Sequence, residues 1–193
     1  MLNVVLVEPQ IPANTGNIGR TCVLTGAQLH LVGPLGFDLS SKAVRRAGLA
    51  YWDSLDVCTY HSWDDFLGQR LAGGLADNVH LLTKAASKTY AEASYSMNDW
   101  LVFGKESSGL DRDLLHAHPD LCERIPMLND DALANAHDWH RSHERLHPEL
   151  KRDICGNFVD EREGVISSLN LSNAVAIVLF EALRQLGFPG MNR

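Results

Sequence analysis

Short runs of consecutive apolar residues alternate along the chain with stretches whose apolar positions recur at helical spacing. The runs are 2–8 (LNVVLVE), 28–33 (QLHLVG), 56–60 (DVCTY), 79–83 (VHLLT), 100–104 (WLVFG) and 122–127 (CERIPM). Each is short, and most are apolar at successive positions, as in strands buried on both faces. Helical spacing predicts helices at about 15–26, 41–48, 62–72, 111–117 and 170–187. Strands and helices in this alternation predict an α/β fold, a parallel sheet covered on both sides.

The last predicted helix carries a stripe of Leu171, Val175, Val178, Leu179, Ala182, Leu183 and Leu186. Ala174, Ala176, Ile177 and Phe180 widen its apolar surface, so the helix asks for cover on more than one side. One face suits the sheet, and a second subunit would cover the rest, which predicts a homodimer. A helix wrapped by its own domain is the alternative. Residues 128–167 break the pattern, being polar, charged and rich in histidine, and they look like an insertion. If 131–147 is helical up to Pro148, then His140, His143 and His147 share a face with His137 nearby. That spacing suits either a metal site or a solvated amphipathic helix. The lack of an H-E-x-x-H arrangement or a nearby cysteine favours the second, so no metal is expected.

The length of 193 residues suits one domain spanning 1–193, with the insertion at about 128–167. The formal net charge of -7 gives no general attraction to nucleic acid, so an RNA partner would need a local basic patch. Cys22, Cys58, Cys122 and Cys155 form no C-x-x-C pair, which argues for reduced thiols over a zinc site or a disulfide framework. The start MLNVVLVEPQ has no basic n-region and reads as a first strand. No apolar stretch is long enough to span a bilayer, so no membrane association is expected. The expected compartment is the cytoplasm.

Three separated stretches combine glycine, small polar residues and a strand end: NTGNIGR at 14–20, VFGKESSGL at 102–110, and IPM at 125–127 with SLNLSNA at 168–174. The first only partly fits a dinucleotide G-x-G-x-x-G fingerprint, because Asn14 stands where a glycine is needed before Gly16 and Gly19. In an open parallel sheet, loops of this kind converge beyond the carboxyl ends of the strands, which predicts a nucleotide-like pocket. Gly104 and Gly109 permit close backbone approach. Backbone groups around Leu81, Ile125 and Leu169 could read an adenine edge while apolar side chains hold its faces.

These stretches, in this order, resemble the three motifs of the SPOUT superfamily of S-adenosylmethionine-dependent RNA methyltransferases. The segments MLNVVLVEPQIPANTGNIGRTC, RRAGLAYW, LVFGKESSGL, RIPM and SLNLSNAVAIVLFEALRQLGFPG are most similar to its TrmL/YibK branch, the tRNA (cytidine/uridine-34) 2'-O-methyltransferases. The resemblance covers about 1–127 and 168–190. It implies a parallel-sheet SPOUT fold whose C-terminal part forms a deep trefoil knot, an arrangement that general chain-topology rules would not suggest. It also implies S-adenosyl-L-methionine bound in the knotted region, a homodimer with each active site at the subunit interface, and the anticodon stem-loop of tRNA as substrate.

Carried over by motif, the cofactor site comprises Leu81, Gly104, Ile125, Ser168 and Leu169. Asn14 and Arg20 are the implied catalytic residues of the first motif. Asn17, Glu106, Asn170 and Asn173 are implied substrate contacts, with Gly16, Gly109 and Ser172 as further matches. Methyl transfer to a ribose 2'-hydroxyl needs the oxygen in line with the sulfonium methyl, and it needs that oxygen made nucleophilic. The family's arginine is usually described as activating the hydroxyl, but a guanidinium keeps its proton at neutral pH. Arg20 therefore suits holding the adjacent phosphate and stabilising the developing alkoxide. Asn14 would orient Arg20, bind the ribose or cap the helix. Glu106 would either touch substrate or pin a turn through backbone hydrogen bonds. SKAVRRAG supplies Lys42, Arg45 and Arg46, with Tyr51 and Trp52 for stacking, as a local RNA-binding patch.

The chain departs from that branch in three places. Its relatives join I-P-M to S-x-N-L-S-N by a short loop, Phe180 stands where tyrosine is common, and Ser108 where arginine is common. These leave reaction type better supported than substrate. The same chemistry on another tRNA position or on rRNA is one rival reading, and a non-catalytic RNA-binding protein another. A dehydrogenase is the weakest, since Asp38 follows GPLGF and closes no strand.

Overall fold

The computed structural model describes residues 1–39, 55–128 and 168–191. Six strands form one sheet, β1 (Asn3–Val7), β2 (Gln28–Val32), β3 (Val57–Tyr60), β4 (Val79–Leu82), β5 (Trp100–Phe103) and β6 (Cys122–Glu123). Their spatial order is β3-β2-β1-β5-β4-β6, and every neighbouring pair runs parallel. The helices are α1 (Pro12–Thr25), α2 (Trp63–Arg70), α3 (Arg112–Ala117) and α4 (Leu171–Gln185), with single 3-10 turns at Tyr90–Glu92 and Pro119–Leu121. The α/β parallel sheet expected from the apolar runs is present. The predicted helix at 41–48 and the whole of 128–167 apart from Leu128 lie outside the described residues, as do Lys42, Arg45 and Arg46.

Successive side chains of each strand serve opposite faces, and each face has its own core. On one side Val4, Leu6, Leu29, Leu31, Leu101 and Phe103 meet Ile18 and Cys22 of α1 and Val175, Val178, Leu179 and Ala182 of α4. On the other, Val5, Val32, Val79, Leu81 and Val102 meet Phe66 of α2 and Tyr60. Each fully buried leucine or valine here contributes roughly 1.5–3 kcal/mol. Burial pushes the Cys22 thiol up to about 12, so it sits in this core as an inert apolar group.

Two elements differ from the expectation. Helix α1 begins at Pro12, earlier than the predicted residue 15, with Ile11 as N-cap. Proline loses nothing at that position, where its missing N–H would have no partner, and this excludes the capping role considered for Asn14. Strand β6 keeps only Cys122 and Glu123 of the predicted 122–127. Arg124 leaves the ladder because its N–H donates to the Lys88 carbonyl and its carbonyl accepts from the Tyr90 N–H. Pro126 has no N–H with which to resume it.

Candidate functional site

The chain runs from β1 outward through β2 to β3 on one side, while β5, β4 and β6 lie on the other. The order therefore reverses between β1 and β5, the kind of switch point beyond whose carboxyl strand ends α/β proteins bind ligands. The β1–α1 loop, the loop after β5 and the start of α4 meet there.

The loop after β5 folds back on itself, with a backbone bond from Gly109 to Lys105 at 2.8 Å and a left-handed Gly109 (φ 74°). Gly104 lies under this fold. A Cβ at Gly104 would stand 2.1 Å from the Gly109 carbonyl carbon and 2.2 Å from the Leu110 nitrogen, so glycine alone fits. The next residue, Lys105, reaches Glu8 at 2.7 Å and ties the ends of β5 and β1 together.

Glu106 then crosses to the β1–α1 loop. Its carboxylate accepts from the backbone N–H of Gln10 at 2.8 Å, from that of Ile11 at 3.2 Å and from Asn14 Nδ2 at 3.0 Å. A negative charge at the start of α1 also complements the helix dipole. The amide of Asn14 is thereby oriented, since the carboxylate can only accept, which leaves Asn14 Oδ1 to accept from Asn170 Nδ2 at 2.9 Å. Asn170 is the N-cap of α4, its Oδ1 accepting from the Ser172 N–H at 2.8 Å and the Ser172 hydroxyl at 2.6 Å. Three stretches far apart in sequence are thus joined through Glu106, Asn14 and Asn170.

This junction separates residues that the sequence grouped. Asn14 is buried on the core side of α1, and both polar atoms of its side chain are engaged, so it does not orient Arg20. Arg20 lies with Asn17 on the exposed face of the same helix. Among the described residues no hydrogen bond or ion pair holds its guanidinium, which is free to meet an anion. Of the two roles considered for Glu106, the observed contacts match the pinning of a turn, though the turn belongs to another part of the chain. Asn173 and Ser168 are exposed beside the N-cap of α4.

The cofactor positions gather at three adjacent strand ends. Leu82 is paired with Phe103 on one side and Glu123 on the other, so the backbone just past β4, β5 and β6 lies side by side. Gly104 and Ile125 are there, Leu81 lies within β4, and Leu169 precedes α4 with 40% of its surface exposed. Backbone donors and acceptors between aliphatic side chains suit a flat, polar-edged heterocycle. The described residues include no cluster of His, Cys, Asp and Glu that could hold a metal ion.

Residues 1–136 match the model of the SpoU rRNA Methylase family. The chain belongs to that family. The SpoU chain is 38% identical over 192 residues to the tRNA (cytidine(34)-2'-O)-methyltransferase of Yersinia pestis, covering 98% of this chain and 97% of that protein. It is also 38% identical over 191 residues to the enzyme of the same name from Saccharophagus degradans, covering 98% and 99%. A solved structure described as giving insights into the 2-OH methylation of C/U34 on tRNA superposes with a TM-score of 0.72 at 33% identity, covering 97% of both chains. An AdoMet-bound rRNA methyltransferase from Sinorhizobium meliloti superposes with a TM-score of 0.68 at 25% identity, covering 96% of this chain and 56% of that one.

The sequence did not single out two buried histidines. His30 sits among Tyr60, Phe66 and Trp100, and burial, helped by the Arg70 charge, lowers its pKa to about 4. For His80, burial would lower the pKa, but hydrogen bonds and charges from Glu123 and Asp99 outweigh it and raise the value. The available signal was a lone histidine within each of two apolar runs.

Proposed function

We propose that this SpoU-family protein is an S-adenosylmethionine-dependent methyltransferase that modifies the ribose 2'-hydroxyl of nucleotide 34 in tRNA. The observation that carries this is the junction of Glu106, Asn14 and Asn170 beside Gly104, found in a chain that matches the Yersinia pestis enzyme over nearly its whole length. Gly104, Ile125 and Leu169, with the backbone at Leu81 and Ser168, fit the adenosyl group: bare backbone at adjacent strand ends, flanked by aliphatic surface. When bound, the cofactor supplies an electrophilic sulfonium methyl for in-line transfer to the 2'-oxygen.

The chain's own residues do the rest. Arg20, a permanent cation on an exposed helix face, neutralises the phosphate next to the target ribose and the charge that develops on the oxygen. Asn14 and Glu106 act behind it by fixing where α1 begins. Asn17, Asn170 and Asn173 border the substrate, and Lys42, Arg45 and Arg46 hold the anticodon stem-loop.

The C-terminal part of the chain forms a deep trefoil knot, and 128–167 is an insertion in the single domain. The active unit is a homodimer. Leu24 on α1 and Ile177 and Phe180 on α4 support this, being 72%, 36% and 47% exposed on helices that pack together. With tRNA as substrate and Cys22, Cys58 and Cys122 as free thiols, the protein works in the cytoplasm. Among the described residues no helix is long and apolar enough to cross a membrane.

The test is transfer of labelled methyl from S-adenosylmethionine to bulk tRNA, with the product nucleoside located by mass spectrometry. A 2'-O-methyl at position 34 is expected. Label at another position or in rRNA alone would replace the substrate assignment, and bound cofactor without transfer to any RNA would favour a non-catalytic RNA-binding role.

A further inference from the structure

A second polar cluster lies inside the protein, on the α1 and α4 side of the sheet and away from the junction at Asn14. His80 in β4 is 5% exposed, Asp99 before β5 is 3% and Glu123 in β6 is 1%. His80 Nδ1 meets Glu123 Oε1 at 2.8 Å, and His80 Nε2 meets Asp99 Oδ2 at 3.1 Å. Glu123 Oε2 accepts from the Tyr95 hydroxyl at 2.7 Å, and Lys88 Nζ stands 3.4 Å from Glu123 Oε1. Asp99 Oδ2 also accepts from the Ser96 N–H at 2.6 Å. Glu181 of α4 adds a further negative charge near Tyr95. With carboxylates at both ring nitrogens, the imidazole donates from both and is an imidazolium.

Burying two carboxylates and a cation in a core is seldom the most stabilising use of those positions, since apolar side chains of similar volume often do as well. A buried ionic group does fix geometry, and here the geometry needs fixing. Strand β6 has only two residues, paired with β4 through Leu81 with Cys122 and Leu82 with Glu123. Beyond that ladder the backbone is held by the bonds of Arg124 to Lys88 and Tyr90, a short run of contacts for a sheet edge that borders a binding site. Ile125, two residues beyond Glu123, and Leu81, one beyond His80, form one side of the proposed cofactor site.

We propose that the buried His80–Glu123 ion pair, completed by Asp99 and Tyr95, is a positioning device that locks β6 against β4. It thereby fixes where the chain leaves β6 towards Ile125, beside the end of β4, for adenosyl binding. The proposal rests on the cofactor reading above. His80 and Glu123 are positioning residues, distant from the reacting atoms.

The experiment uses the full chain and measures S-adenosylmethionine binding by calorimetry, together with KM for the cofactor and kcat on tRNA, for wild type, Glu123→Gln, His80→Gln and Tyr95→Phe. Displacing one wall of a site weakens binding steeply, so the Gln variants should raise Kd and the cofactor KM about tenfold or more. Their kcat at saturating cofactor should stay within about twofold. Tyr95→Phe, which deletes one hydrogen bond, should raise Kd by about two- to tenfold. If the Gln variants fail to fold, Tyr95→Phe decides. An unchanged Kd in any folded variant overturns the proposal, as would a fall in kcat with KM unmoved. Wild type that binds no cofactor would overturn the cofactor reading and this proposal with it.

Discussion

Asn14 Oδ1 accepts a 2.9 Å hydrogen bond from Asn170 Nδ2 across 156 residues of chain. With Glu106 on its other side, Asn14 touches both of the other stretches that carry the site. Asn14→Ala would leave the Asn170 amide without this acceptor and Glu106 with one donor fewer. Losing such partners in a partly buried network costs about 1–3 kcal/mol. The expected result is a lower urea midpoint at unchanged m-value. A variant as stable as wild type would mean that water or a rearranged Asn170 replaces the contact.

Arg20 makes the opposite prediction. Its side chain is exposed and unpaired among the described residues, so Arg20→Ala should leave the unfolding midpoint and the cofactor Kd unchanged. Removing a charge that stabilises a developing oxyanion should lower kcat by about 10²–10³-fold. Arg20→Lys keeps the charge but loses the planar fork and should recover only part of the rate. Full activity in the alanine variant would remove Arg20 from the mechanism.

Gly104→Ala tests the fold of the loop after β5. The added methyl would fall 2.1 Å from backbone at Gly109 and 2.2 Å from backbone at Leu110, neither of which can swing aside as a side chain end could. The loop must open, carrying Glu106 away from α1. Cofactor binding should weaken by more than about tenfold, in keeping with angstrom-scale displacement of a site. Wild-type affinity in Gly104→Ala would show that the loop tolerates the shift.

The sequence revealed elements more readily than contacts. Runs such as LNVVLVE and WLVFG announce strands buried on both faces, and the stripe from Leu171 to Leu183 is buried on α4 much as its spacing suggests. The site motifs were visible as glycine and amide clusters, but the partners of Glu106 were not, because Gln10, Ile11 and Asn14 lie more than ninety residues away. Pro12 was a readable signal for the true start of α1. His80 and Glu123 were visible as polar residues in apolar runs, yet no local rule pairs two strands separated by a third in the chain.

The two buried histidines predict opposite responses of stability to pH. His30 has a folded pKa of about 4 against the ordinary 6.5, so between those values the unfolded chain takes up a proton that the folded chain refuses. Stability therefore falls as pH drops through that window, by roughly 3 kcal/mol for a group this buried. For His80 the folded pKa is raised above 6.5. Its contribution is whole below 6.5 and is lost as pH rises through the folded value, where the folded chain releases a proton that the unfolded chain has already given up. Urea unfolding from pH 4.5 to 8.5, below the range in which the unfolded chain would ionise the buried Cys22 thiol, should give a maximum near pH 6.5 in wild type. Replacing His30 by Gln should flatten the acid limb and leave the alkaline one, whereas His80→Gln should flatten the alkaline limb only. Identical profiles for His80→Gln and wild type would mean that His80 is neutral in the fold, and the ionic reading of its contacts with Glu123 and Asp99 would fall.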